Sequence, residues 1–160
     1  PICAILLCLC ILIVAPRVGA QEVSDFHTHY TFFKSIYPRI EGSEGERQAV
    51  DYISGRLSEL GIQFQAENFY EVGDRHSYST SLEVVYPGTT SDELIIAAPL
   101  NTRENSDDID DGAANLALAL HLAERFHKAN SNLGLRLLFL GAEFGEEEHY
   151  PIGTHSFLSG

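Results

Sequence analysis

Residues 94–126 read LIIAAPLNTRENSDDIDDGAANLALALHLAERF. They form a strand, a polar loop and a helix in succession. Leu94 to Ala98 is a short continuous apolar run, the pattern expected of a strand buried on both faces. Pro99 cannot donate to a sheet ladder and ends the strand. Asn101 to Asp111 is almost wholly polar. From Gly112 to Phe126 the chain is rich in Ala and Leu with no interior Gly or Pro, which favours helix. Ala113, Leu116, Leu120 and Ala123 share one face, and Ala117, Leu118 and Ala119 make the rest apolar, so this helix is expected to be buried. Ligands of open α/β sheets bind beyond the carboxyl ends of the strands, and the acidic loop stands at such an end. Asp107, Asp108, Asp110 and Asp111 repel one another unless solvated or neutralised by a cation. An Asp that caps the following helix is the plainer reading of the same residues.

Ile2 to Ala15 is an apolar run too short to span a bilayer and reads as part of a signal peptide over residues 1–20. The chain holds no Met, so the start of this signal is expected to be missing. Val18-Gly19-Ala20 supplies small residues for a cut ahead of Gln21. The protein is therefore expected to be exported, to the periplasm or the extracellular space. Cys3, Cys8 and Cys10 all lie in this segment, which leaves residues 21–160 with neither disulfides nor thiolate metal ligands. The formal net charge is −13, and loss of residues 1–20 removes one Arg and no acid. Such acidity is a poor match to nucleic acid or anionic membranes as partners. Residues 21–160 suffice for one modest core and so for one domain.

Gln21 to Glu41 is rich in aromatics without a clean period and reads as a surface segment. His27 and His29 within it have a spacing that would suit a metal only on a strand. Ser43 and Glu46 make a capping box, and Val50, Ile53, Leu57 and Leu60 form the apolar stripe of the helix it opens, with Gly61 at its end. Ile62 to Val72 and Thr80 to Tyr86 read as a strand pair. Leu133 to Leu140 is a fourth strand, ending in Gly141-Ala142-Glu143 and followed by Glu146-Glu147-Glu148. Two acidic clusters beyond two neighbouring strands are the layout of a metal site or an acid/base pair. His121 and His127 read as ordinary helix histidines, and His155 is an unlikely ligand; His149, beside the second cluster, is a candidate. The fold class expected is α/β, with a mixed, mainly parallel sheet flanked by helices in three layers.

The order of these motifs resembles the co-catalytic di-zinc aminopeptidase family, which also includes glutamate carboxypeptidase-like enzymes and glutaminyl cyclases. The likeness rests on the capped helix, the strand pair, LIIAAPLNT, DDGAAN, LRLLFLGAE and Gly153-Thr154 followed by Phe157. It covers about residues 40 to 160 and implies the first half of such a domain, cut short at Gly160. In the family the strand ends in His-x-Asp, a zinc ligand and its supporting acid; here Pro99-Leu100-Asn101 stands in that place. The resemblance puts Asp111 at the position that bridges the two metals and Glu143 at the general base. Phe144 then occupies the position of a zinc ligand. A rival register, set by the distance to Gly153-Thr154, makes Glu147 the acid of the motif; the strand favours Glu143. The family's last two ligands, an Asp and a His, belong further along the chain. In an intact site two zinc ions share a water and lower its pKa, and the Glu takes its proton.

Three readings follow. The first is an exported di-zinc-peptidase-like protein with a degenerate site that binds or scaffolds, holding no metal. The second is an active zinc-dependent aminopeptidase with a rearranged set such as Asp111, Glu143 and Glu147, acting on a peptide or small amide. The third is an acidic module that binds Ca²⁺ through its loops. If the sheet is cut mid-way, Leu137 to Leu140 and the helix Ala113 to Ala123 are expected to lack partners and to leave an exposed sheet edge.

Overall fold

The computed structural model describes residues 18–72, 77–103, 112–129, 131–144 and 151–159. The helices are α1 (Val18–Ser35), α2 (Glu44–Glu59), α3 (Ala113–Phe126) and α4 (Ile152–Ser159). The strands are β1 (Gln65–Val72), β2 (Ser77–Tyr86), β3 (Glu93–Pro99) and β4 (Gly134–Leu140). They make one sheet in the order β1-β2-β4-β3. β1–β2 and β2–β4 run antiparallel, whereas β3 and β4 are parallel. A parallel pair needs a crossover, and α3 supplies it. The mixed α/β architecture expected from the sequence is the one observed.

Alternation along β4 builds the layers. Leu135, Leu137 and Phe139 point to the main core with Leu82 and Val84 of β2. On that face α2 contributes Ala49, Ile53 and Leu57, and α3 contributes Leu116, Leu120 and Ala123. Arg136 lies on the opposite face, paired with Glu83 and Glu93 of the flanking strands. Phe157 of α4 sits 5.9 Å from its guanidinium, and Ile152 of α4 packs on Phe69 and Ala142. α4 therefore covers the second face.

The structure corrects several expectations. Leu94 and Ile95 are 47% and 49% exposed, because β3 is an edge strand among the described residues and not buried on both faces. Leu137 to Leu140, expected to lack partners, are buried between β2 and β3. α3 is buried through Ala113, Leu116, Ala117, Ala119, Leu120 and Ala123, but Leu118 is 49% exposed. The N-cap of α3 is Gly112, without a side-chain cap bond.

The segment read as surface is largely helix α1, with Phe33 fully buried. His29 is buried too, with Nδ1 2.8 Å from the Tyr52 hydroxyl and Nε2 3.3 Å from Glu124 of α3. Glu124 also accepts from Arg56 of α2 at 3.0 Å. Burial works against ionised Glu124, but His29 and Arg56 outweigh it and hold the carboxyl below its ordinary range. This polar cluster joins the three helices. Among the described residues no helix is long and apolar enough to cross a membrane.

Leu120 is fully buried and Leu118 half exposed, two residues apart on different faces of α3. Leu120→Ala is expected to destabilise the protein by about 2–5 kcal/mol in urea unfolding. Leu118→Ala should cost less than about 1 kcal/mol. Equal losses would contradict this packing of α3.

Candidate functional site

Because β3 and β4 are parallel, their carboxyl ends lie side by side. Leu100 N–H donates to the Leu140 carbonyl at 2.7 Å. The segments leaving the two strands, Leu100-Asn101-Thr102 and Gly141-Ala142-Glu143, are thus brought together. They are joined where Glu143 N–H donates to Asn101 Oδ1 at 3.1 Å.

Buried Arg39 fixes the first segment. Its Nε donates to the Leu100 carbonyl at 3.0 Å and its Nη1 to the Phe33 carbonyl at 2.9 Å. Its backbone exchanges two bonds with Thr102, to the Thr102 hydroxyl at 3.1 Å and from Thr102 N–H at 2.8 Å. A fully buried guanidinium needs such acceptors, since its unpaired N–H groups would carry the full desolvation cost.

The side chains of Ser81 and Asn101 fix the second segment. Gly141 N–H donates to Ser81 Oγ at 3.0 Å. Glu143 N–H goes to Asn101 as above. Gly141 approaches β2 so closely that a Cβ there would stand 2.4 Å from the Thr80 carbonyl oxygen. Ala142 has φ 53°, in the left-handed region that a residue with a Cβ enters at a cost of about 1–2 kcal/mol.

Glu143 uses both carboxylate oxygens on the first turn of α4. Oε1 accepts from Thr154 N–H at 2.6 Å and Oε2 from the Thr154 hydroxyl at 2.8 Å. A carboxylate is favoured at a helix N-terminus. A Cβ on Gly153 would lie 2.4 Å from the Gly141 carbonyl oxygen, so this glycine is what lets α4 close on the turn.

Of the residues singled out in the sequence, the structure brings together Pro99, Asn101, Glu143 and Phe144 at the two strand ends. Asp111 and Glu147 lie outside the described residues, as do Asp107, Asp108, Asp110 and His149. His121 makes an edge contact with Phe26, and His127 and His155 are exposed. Among the described residues no group of three or more His, Cys, Asp or Glu could hold a metal. Pro99 and Phe144 have no donor atom. Asn101 spends its oxygen on Glu143 N–H, and its buried Nδ2 is a donor without a partner. The Arg103 guanidinium lies 5.4 Å from the Phe144 ring, a cation–π contact that sets a positive charge beside this position. The described residues do not fit a pair of zinc ions.

Sequence reading missed Glu46 and Arg39. Ser43 and Glu46 were legible as a cap, and Ser43 Oγ does accept from Glu46 N–H at 3.3 Å. The Glu46 side chain, however, reaches Gly42 N–H and the Ser79 hydroxyl, each at 2.6 Å, and no local pattern reveals the contact with β2. Burial pushes the Glu46 carboxyl up to about 7, against the bonds from Ser79 and Gly42 that favour its ionised form.

The folded carboxyl thus holds a proton that the unfolded one, at 4.5, has released. The stability this contributes is full below pH 4.5 and is lost as pH rises through about 7. The shift corresponds to a change on the order of 3 kcal/mol. Urea unfolding across this range is expected to show wild type losing stability relative to Glu46→Gln as pH rises. A pH-independent difference between the two proteins would refute it.

No family model matches the chain, and no curated protein matches it. Solved structures do. A zinc-dependent exopeptidase from Parabacteroides distasonis superposes with a TM-score of 0.69 at 14% identity, over 84% of this chain and 54% of that one. Fimbriiglobus ruber glutaminyl cyclase gives 0.70 at 19% identity, over 85% and 54%. A leucine aminopeptidase precursor from Bacteroides thetaiotaomicron gives 0.65 at 17% identity, over 79% and 49%. The chain spans about half the length of these proteins. Over that half, it has the fold of zinc-dependent exopeptidases and glutaminyl cyclases.

Proposed function

We propose that this chain is an exported metallo-aminopeptidase-like protein with a degenerate metal site, which binds or scaffolds and hydrolyses peptide bonds little or not at all. The observation that carries this reading is the engagement of Glu143. A general base must present a free oxygen to the water it deprotonates. Both oxygens of Glu143 instead hold Thr154, so the residue serves as the anchor of α4. The neighbouring positions support the same reading. Zinc requires N, O or S ligands at fixed geometry, and Pro99 and Phe144 supply none. Asn101 in place of the family's supporting acid has its oxygen committed to the Glu143 backbone. Asp111 keeps a place for a bridging carboxylate, but each metal would be one ligand short.

Zinc measured by elemental analysis on the full-length protein is expected well below two equivalents. Turnover of a panel of aminoacyl amides should stay at background with and without added Zn²⁺. Two equivalents of zinc, with turnover abolished by Glu143→Gln, would replace this reading with that of an active zinc aminopeptidase. Turnover lost only in Glu147→Gln would move the base to that residue.

Export rests on the apolar run Ile2 to Ala15 and the small residues ahead of Gln21. N-terminal sequencing of secreted material should give a start near Gln21. Retention of Ile2 to Ala15 on exported protein would point to an anchor in its place.

A further inference from the structure

We propose that the outer edge of β1 is a docking strand for an extended basic peptide. The peptide adds to the sheet beside residues 65–70, with cationic side chains on the face of Glu67 and apolar ones over Tyr70 and Tyr78. This edge lies at the opposite end of the sheet from β3, and the proposal does not depend on the reading of the strand-end site.

Three observations carry it. First, β1 is a sheet edge among the described residues, and an unguarded one. Edges are commonly blunted by Lys, Pro or a bulge. β1 contains neither Lys nor Pro. It pairs with β2 residue for residue from Gln65↔Glu83 to Tyr70↔Tyr78, and the register shifts only after Tyr70. The outward N–H and C=O groups of such a strand are a template for another. Second, the two faces of this edge differ in chemistry, because alternate residues of a strand point to opposite sides. On one face Tyr70 is 72% and Tyr78 41% exposed, with ring centroids 5.3 Å apart. Tyr78 O–H donates to Asn68 Oδ1 at 2.7 Å, which fixes that ring. Exposed aromatics on a strand favour apolar, β-branched partners on the next one. On the other face Phe69 packs with Ile152 of α4, and Glu67 is exposed, accepting from Ser156 Oγ at 2.6 Å. Third, the charge is one-sided. β1 and β2 hold three Glu and no Lys, Arg or His, on a chain of net charge −13. Glu83 already pairs with Arg136. Glu67 meets a neutral hydroxyl and no cation among the described residues, so its charge is left for a cation from outside. A basic chain is drawn to this edge and an acidic one is repelled.

Fluorescence anisotropy on the full chain, with a labelled peptide of alternating Lys and Val, tests this. The peptide is expected to bind. An isomer with its Lys in one block has the same charge but spreads it over both faces, and should bind on the order of tenfold more weakly. The alternating peptide N-methylated at every residue keeps its charge, loses its backbone donors and should not bind. An alternating Glu and Val peptide should not bind either. Glu67→Lys sets like charges opposite each other and should weaken binding on the order of tenfold. Asp51→Lys, the same charge change at an exposed position of α2, should leave the affinity as it is. Tyr70→Ala should weaken binding up to about fivefold, the worth of a cross-strand aromatic pair. Failure of the alternating peptide to bind overturns the proposal. Equal affinity of the two Lys isomers, retained binding after N-methylation, or equal effects of Glu67→Lys and Asp51→Lys would each reduce the interaction to general charge attraction and overturn it too. If Glu67→Lys does not fold, Glu67→Gln, which keeps an acceptor for Ser156, carries the test, and an unchanged affinity in that variant overturns the proposal.

Discussion

The backbone N–H groups of Gly141 and Glu143, at the carboxyl end of β4, must find acceptors away from water, and the architecture of the site follows from how they do. A strand that ends inside a protein cannot leave its last donors unpaired. No ladder partner is available beyond Leu140, so side chains take over. Ser81 comes from β2 and Asn101 from the segment after β3. The parallel pairing of β3 with β4 makes the last of these possible, since it sets both exits on one edge of the sheet. The same turn that satisfies these donors aims Glu143 at α4, and α4 in turn closes the second face of the sheet.

Polar chemistry at this place is accordingly directed inwards. Arg39 donates to carbonyls, Glu46 accepts from Gly42 N–H and the Ser79 hydroxyl, Glu143 accepts from Thr154 and Asn101 accepts from Glu143 N–H. A site that binds metal ions must keep ligand atoms unpaired by protein and pointed at a common centre. The described part of this one has its carboxylates tied to backbone N–H groups, with Arg103 stacked where the family resemblance puts a ligand. The fold is that of zinc-dependent enzymes, while fold alone does not confer their chemistry.

Much of the framework was legible in the sequence because it depends on local pattern. The Ala/Leu run gave α3 and its buried stripe, and Ser43 with Glu46 marked the start of α2. The strands were found by their apolar runs and turn residues. β3 was misread as doubly buried, since Leu94 to Ala98 has the composition of an interior strand and only the sheet order reveals it as an edge. α1 was missed for a related reason. Its aromatics do not follow one helical period, and its burial comes from His29 and Phe33 meeting Tyr52 of α2 and, through His29, Glu124 of α3. At the site, Asn101 and Glu143 were placed correctly at strand ends, but their bond to each other was not foreseeable. Glu46 and Arg39 act across long stretches of chain, and nothing near them in sequence announces their partners.

Those separations bear on the order in which the molecule assembles. The ties of the turn join residues 60 and 42 positions apart, and Arg39 reaches Thr102 across 63. Contacts of this kind incur the loop-closure entropy before they return any enthalpy, whereas the helices and the β1–β2 hairpin close locally. The site is therefore a late product of folding, completed only after α2, β2 and the β3–β4 pair have met. By the same argument, the region that distinguishes this protein from a bare α/β scaffold is held by parts of the chain that only the finished sheet brings together.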